Sequence, residues 1–458
     1  MNKRITSSSL FSPSLVERGQ GGGALKTISN PSPEKWQKLV ERPTIRQEKL
    51  TDVVEKIFRE IKRKGDKAVL KFSQKFDYQE QKSLIVSAEA IEKADEQVSG
   101  ELKKAIELAR RNIEAFHASQ QENVRKIETA PGVVCWREAR PIDRVGIYIP
   151  GGTAPLFSTI LMLAVPAQIA GCKEVVLCTP PDKNGKIHPA ILYTAHLTGV
   201  TKIIAAGGIQ AIGAMTFGTE SVPKVDKIFG PGNQYVMAAK QLAQYYGTAI
   251  DMPAGPSEVL IIADETCHPA FVAADLLSQA EHGGDSQVIL LSTNKRIIKE
   301  VKKELDVQLA HLPRKEMAIQ ALKSSRAILF DTIDKCIDFS NLYAPEHLIL
   351  AVENAEVVSL NVTNAGSVFL GNFSCESAGD YASGTNHTLP TSAYAKAYSG
   401  VSLDSFVKKI TFQHLSEEGI QHIGSAIEIL AESEGLFAHK NAVSIRLRHC
   451  GLDPQSLK

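Results

Sequence analysis

From residue 144 onward, short runs of consecutive apolar residues alternate with longer stretches whose apolar positions recur every three or four residues. Strands are predicted at 145–149, 175–179, 202–206 and 227–229, with helices between and after them at 158–170, 189–198, 209–217 and 233–246. Strand, glycine turn and helix repeating at this interval is the pattern of βαβ units on a parallel sheet. The alternation restarts with strands at 258–263, 287–292, 327–330, 348–351 and 367–370 and helices at 268–282 and 295–308. Ahead of both blocks, 51–64 and 88–120 carry helical spacing with charged faces, and helical patterns return at 403–408 and 416–434.

The pattern predicts an α/β fold with two incomplete Rossmann-like parallel-sheet domains, 144–256 and 257–400. A helical N-terminal segment, 25–143, precedes them, and a small C-terminal helical domain, 401–443, follows. Residues 1–24 hold a Gly-Gly-Gly run and no periodicity, which marks a disordered extension; 444–458 read as a disordered tail. The extension shares a basic, serine-rich character with transit peptides but has no secretory apolar core.

Composition narrows the function classes. A chain of 458 residues is too long for one core, which agrees with the division into domains. With 52 basic and 51 acidic residues it carries no charge excess to attract nucleic acid or an anionic membrane. No apolar run reaches the roughly 18 residues that span a bilayer. The seven cysteines form no C-x-x-C pair, so reduced thiols in a cytoplasmic protein are expected rather than a disulfide framework.

Candidate chemistry gathers in four segments bounded by glycine or proline: Gln279-Ala-Glu-His282-Gly, Tyr343-Ala-Pro-Glu346-His347, Glu376-Ser-Ala-Gly-Asp380 through His387, and Glu434-Gly-Leu-Phe-Ala-His439. Carboxylates and imidazoles among small residues need partners, and one composite metal or substrate site would supply them. Gln279 and His282 are three apart near a helix end and share a face, although an amide is an uncommon zinc ligand. Glu346 and His347 leave a turn and enter a strand, where neighbours point to opposite faces. Both reach one site only if that turn is irregular; otherwise they form a surface ion pair. The glycine-rich loops 149–153, 206–208 and 229–233 each follow a strand, where they suit either a phosphate or a plain tight turn. Three in one domain favour a nucleotide.

Several blocks resemble one family. Residues 250–264, Ile-Asp-Met-Pro-Ala-Gly-Pro-Ser-Glu-Val-Leu-Ile-Ile-Ala-Asp, are similar to the signature of the histidinol dehydrogenases, as are Lys227-Ile-Phe-Gly-Pro-Gly-Asn233, Asp275 through His282, Tyr343 through His347, 376–387 and 431–441. The likeness runs from about Leu25 to Val443. It implies oxidation of L-histidinol to L-histidine with two NAD, the last step of histidine biosynthesis, on one zinc ion per subunit. By the same resemblance Gln279, His282, Asp380 and His439 hold zinc, while Ser257, His347 and Glu434 join them on the substrate. Tyr148, Gln210 and Asn233 contact NAD, and Glu346 and His347 are catalytic. His387 lies near the substrate; Glu376 receives no role. Family members are homodimers with exchanged segments, so Glu434 and His439 are expected to complete a partner's site. Cys375 replaces a frequent proline, and the helix after Asn233 is slightly short.

The implied mechanism uses His347 as the proton acceptor in both oxidations and Glu346 to activate water for addition to the aldehyde. One rival is a cysteine thiohemiacetal, with Cys375 ahead of Cys135 or Cys172 as nucleophile. Another is a non-catalytic protein that binds zinc and a nucleotide, against which an intact Glu346 and His347 argue.

Overall fold

The apolar runs 258–263 and 287–292 are buried along their whole length, as strands covered on both faces by helices must be. The computed structural model describes residues 25–43, 47–151 and 154–450. The expected extension 1–24, the last part of the expected tail, and Gly152 and Thr153 of the first glycine loop lie outside the described residues. In chain order the strands are β1 (Lys26–Ser29), β2 (Ile127–Ala130), β3 (Val133–Pro141), β4 (Arg144–Tyr148), β5 (Glu174–Thr179), β6 (Lys202–Ala205) and β7 (Lys227–Phe229). They continue with β8 (Ala249–Ile250), β9 (Glu258–Ala263), β10 (Gln287–Ser292), β11 (Arg326–Leu329), β12 (His347–Ala351), β13 (Ser367–Leu370) and β14 (Val407–Leu415).

Two parallel sheets carry the fold, in the orders β6-β5-β4-β7-β8 and β1-β11-β10-β9-β12-β13. Both are doubly wound, with the order reversing between β4 and β7 in the first and between β9 and β12 in the second. The helix Phe157–Ala170 is apolar on every side and buried from Ser158 to Ala167, because it lies between the first sheet and the helix Gly100–Ala118.

Three expectations need correction. The N-terminal segment is not purely helical: β1 pairs in parallel with β11 at the edge of the second sheet, seating Leu25 in that core. The stretch 403–408 is a short 3-10 turn, Leu403–Phe406, leading into β14, which pairs antiparallel with β3 to build a third sheet, β14-β3-β2. A long-range pair of half-exposed strands has no apolar run to announce it; Trp136 and Phe412 stack across it with ring centroids 5.4 Å apart. Finally, residues 444–449 continue the helix Phe437–His449 instead of starting a disordered tail. Leu447 is buried against Gly424 of the helix Glu417–Ser433, which holds that last turn in place.

Candidate active site

Glu258 opens β9 and His347 opens β12, so these residues stand at the amino edge of the second sheet, on the neighbouring strands where its order reverses. Ligands of open parallel sheets usually sit at the carboxyl edge. Here the helix Pro269–Ala280 runs back against the strands and brings Gln279 to the amino edge, with His282 one turn further on. Its carbonyl-bearing end adds negative potential there, which suits a cation.

The irregular turn required of Glu346 and His347 exists. The helix Ile333–Tyr343 ends on Ala344 in the left-handed region, at φ 52°, and Pro345 follows. Glu346 therefore lies outside the strand that His347 begins. Both grip the same residue: the Glu258 amide donates to Glu346 Oε2 at 2.8 Å, and His347 Nδ1 lies 3.2 Å from the Glu258 carbonyl. A carbonyl only accepts, so Nδ1 carries the proton and Nε2 faces Asp380 Oδ1 at 3.5 Å. Gln279 Nε2 donates to Glu346 Oε2 at 3.1 Å.

The electrostatics follow from burial. Loss of water pushes the Glu346 carboxyl up to about 8, with the His347 charge working against the shift. Burial alone would lower His347, but the carboxylates of Glu376, Glu346 and Asp380 outweigh it and raise the imidazole to about 10. Burial opposes charge on Asp380 as well, yet His347, His387 and His282 hold its carboxyl below the usual range.

The donor set fits a divalent metal. Gln279 Oε1 and Asp380 Oδ1 are buried without a hydrogen-bond partner. His282, Glu376 and Asp380 present one ligand atom each within 4.8 Å of one another. A mixed nitrogen and oxygen set of this kind suits zinc. Ser257 Oγ lies 3.4 Å from His282 Nδ1 and completes the near side. His387 bridges the two halves, with Nδ1 donating to the Asp380 carbonyl at 2.8 Å and Nε2 3.0 Å from Thr159 Oγ1.

The other two residues of the expected set are elsewhere. Glu434 and His439 are exposed at the junction of the helices Glu417–Ser433 and Phe437–His449. Neither side chain makes a hydrogen bond or ion pair among the described residues. Glu376 was given no role from sequence, yet its carboxyl is buried and reaches the cluster. Its place inside a motif containing Asp380 was the only available signal.

Tyr148, Gln210 and Asn233 converge at the carboxyl edge of the first sheet. Tyr148 ends β4 and its hydroxyl accepts the Gly208 amide at 3.0 Å. Gln210 Nε2 donates to Asp77 Oδ2 at 3.0 Å; Asp77, which no motif had marked, also accepts the Gly207 amide. Asn233 caps the helix Gln234–Tyr245 by accepting from Tyr235 and Val236, both at 3.1 Å. Gly230 lies so close to β4 that an added Cβ would stand 2.1 Å from the Tyr148 carbonyl oxygen. This bare backbone beside the strand-order reversal fits a dinucleotide.

The family model for histidinol dehydrogenase matches residues 40–447. The chain belongs to the histidinol dehydrogenase family. Similar relatives agree over nearly the whole length: the histidinol dehydrogenase of Bacteroides thetaiotaomicron is 59% identical over 423 residues, 92% of this chain and 99% of that one. The histidinol dehydrogenase of Escherichia coli K12 is 53% identical over 417 residues, 90% of this chain and 95% of that one. The crystal structure of histidinol dehydrogenase from Elizabethkingia anophelis superposes with a TM-score of 0.92 at 61% identity, covering 94% of this chain and all of the other. Histidinol dehydrogenases are NAD-dependent oxidoreductases that bind zinc, in agreement with the two donor sets above.

Proposed function

We propose that this histidinol dehydrogenase carries both oxidations of L-histidinol, through L-histidinal to L-histidine, at the amino edge of the second sheet, with Glu346 and His347 as its proton-transfer groups. The observation that carries this reading is the shared grip of these two residues on Glu258, which leaves His347 Nε2 as the one free ring nitrogen beside the metal-type donors.

When bound, zinc supplies a positive centre for the imidazole and amino groups of histidinol, and NAD accepts the hydride. Gln279, His282 and Asp380 are the residues of this chain that hold the metal. Ser257 and His387 set the orientation of His282 and Asp380. His347 Nε2 takes the alcohol proton as the carbon is oxidised to the aldehyde. Glu346, made more basic by burial, draws a proton from the water that adds to the aldehyde, while His347 returns its proton to the aldehyde oxygen, giving the gem-diol and a neutral imidazole. His347 accepts again in the second oxidation. Tyr148, Gln210 and Asn233 position the nucleotide at the facing edge of the first sheet.

Glu434 and His439 serve a second copy of the chain. In support, the exposed hairpin that carries them displays Ile429, Leu430, Leu436 and Phe437, an apolar surface without cover in a single chain. The cytoplasm is the proposed compartment: all seven cysteines are unpaired, and no described helix is long and apolar enough to cross a membrane.

The deciding experiment is NADH released per histidinol consumed. Two supports the four-electron reaction, and one reduces it to a simple alcohol dehydrogenation. The thiohemiacetal alternative is separated by Cys375→Ala, which is expected to keep the aldehyde step. Cys375 only precedes the helix Glu376–Tyr381, half-buried.

A further inference from the structure

Arg42 comes from the far N-terminal segment, yet its guanidinium, with the side chain 9% exposed, ends beneath the catalytic pair. Nε and Nη2 donate to the two oxygens of Glu258, each at 3.0 Å, in a two-pronged grip. Nη2 also donates to the Tyr343 carbonyl at 2.6 Å, and the guanidinium lies 3.6 Å from the centre of the Tyr343 ring. Glu258 Oε1 accepts a further bond from the Ser392 amide at 2.8 Å. Ser392 and Ala393 both stand in the left-handed region, at φ 54° and 63°, a conformation that costs energy for residues with a Cβ and persists only when held.

These contacts tie together the three segments that fix Glu346 and His347. Glu258 supplies the amide that binds Glu346 and the carbonyl that binds His347. Tyr343 is the last helical residue before the turn that carries them. The strained turn at Ser392 and Ala393 closes the same site, where the Gly255 amide donates to Thr391 Oγ1. Only a planar group with donors in a fixed fork binds a carboxylate with two parallel bonds and a carbonyl at once. A buried pair of this kind is weak evidence for stability but strong evidence for a fixed geometry.

We propose that Arg42 is a positioning residue of the reaction, acting through Glu258 to hold Glu346 and His347 at their working separation. The inference rests on Glu346 and His347 being the proton-transfer groups. Misplacement by about 1 Å costs on the order of 100-fold in rate, so loosening the grip acts on turnover before it acts on binding.

The test compares Arg42→Lys, Glu258→Gln and Glu346→Gln with the unaltered enzyme, measuring kcat, KM for histidinol and for NAD, bound zinc and Tm. Arg42→Lys keeps the charge but not the fork. It is expected to lower kcat by roughly 10- to 100-fold while zinc content and KM for NAD stay within about twofold. Glu258→Gln keeps the shape of the carboxylate and should show the same split, which preserves the test if the Arg42 variant does not fold. A lower Tm with unchanged kcat in the folded enzyme would make Arg42 purely structural and overturn the proposal. Wild-type turnover in Glu346→Gln would instead overturn the assignment beneath it. Loss in Glu346→Gln beside full activity in Arg42→Lys sinks the Arg42 role alone.

Discussion

His347 Nε2 stands 3.5 Å from Asp380 Oδ1 while the opposite ring nitrogen is committed to the Glu258 carbonyl. The imidazole therefore has one orientation and one free nitrogen, and that nitrogen points at a carboxylate of the metal-type donor set. Glu346 Oε2 is already held by Glu258 and Gln279. His347→Asn should lower kcat by about 100- to 10,000-fold, the usual contribution of a positioned base, in both the alcohol and the aldehyde oxidation. Steady-state rates with histidinol and with histidinal as starting substrates check this. A variant that lost only one of the two steps would show that His347 does not serve both.

The same carboxylates set the pH dependence. His347 accepts a proton only when neutral, and Glu346 only when ionised. Both are pushed upward, to about 10 and about 8, so the population able to act as base grows as pH rises through neutrality. The rate is expected to climb from about pH 7 and to level off only above about pH 10. Glu376 contributes the largest of the raising effects on His347. Glu376→Gln removes that charge, so His347 gives up its proton more readily and the rising limb should move to lower pH. A limb left in place at full zinc loading would mean that Glu376 carries no charge in the working enzyme.

How far the sequence could be read depended on where burial was decided. Strands 258–263 and 287–292 were legible to the residue because central parallel strands need apolar side chains on both faces. β14 was not, because its side chains alternate only weakly and its partner β3 lies far back in the chain. Motif blocks placed Gln279, His282, Glu346, His347 and Asp380 in one neighbourhood, and the structure brings these five together. What motifs hide is dependence across distance. Arg42 and Glu258 are 216 positions apart, and nothing near either one points to the other. Glu376 looked idle because the groups facing its carboxyl outside its own helix, Glu346, His347 and Asp275, lie far away in the chain.

Gly230 offers a test of the nucleotide edge. Its φ of 123° is strained for any residue with a Cβ, and the added atom would meet the Tyr148 carbonyl oxygen at 2.1 Å. Backbone cannot give way as a flexible side chain would. Lys240 Nζ and Asp251 also hold the carbonyl and amide of Gly230, at 2.8 Å each. Gly230→Ala should cost more than about 2 kcal/mol and raise KM for NAD more than KM for histidinol. Denaturant midpoints and initial rates measure the two effects. An unchanged midpoint would show that the loop relaxes at no cost.

The site as a single chain presents it lacks Glu434 and His439. Both are exposed on a hairpin whose apolar side chains Leu430, Leu436 and Phe437 are uncovered. If a second copy receives that hairpin, each site draws on two chains, and damage on different chains can be complemented. Asp380→Asn removes a donor from the body of the site, and His439→Asn one from the hairpin; each variant alone should be inactive. In a mixed dimer, one site receives both lesions and the other receives none. Unfolding and refolding equal amounts together makes about half of all dimers mixed, so about a quarter of wild-type activity should return. Zinc content should recover in the same proportion. A mixture as inactive as its components, with mixed dimers verified by distinct tags, would place His439 in the site of its own chain.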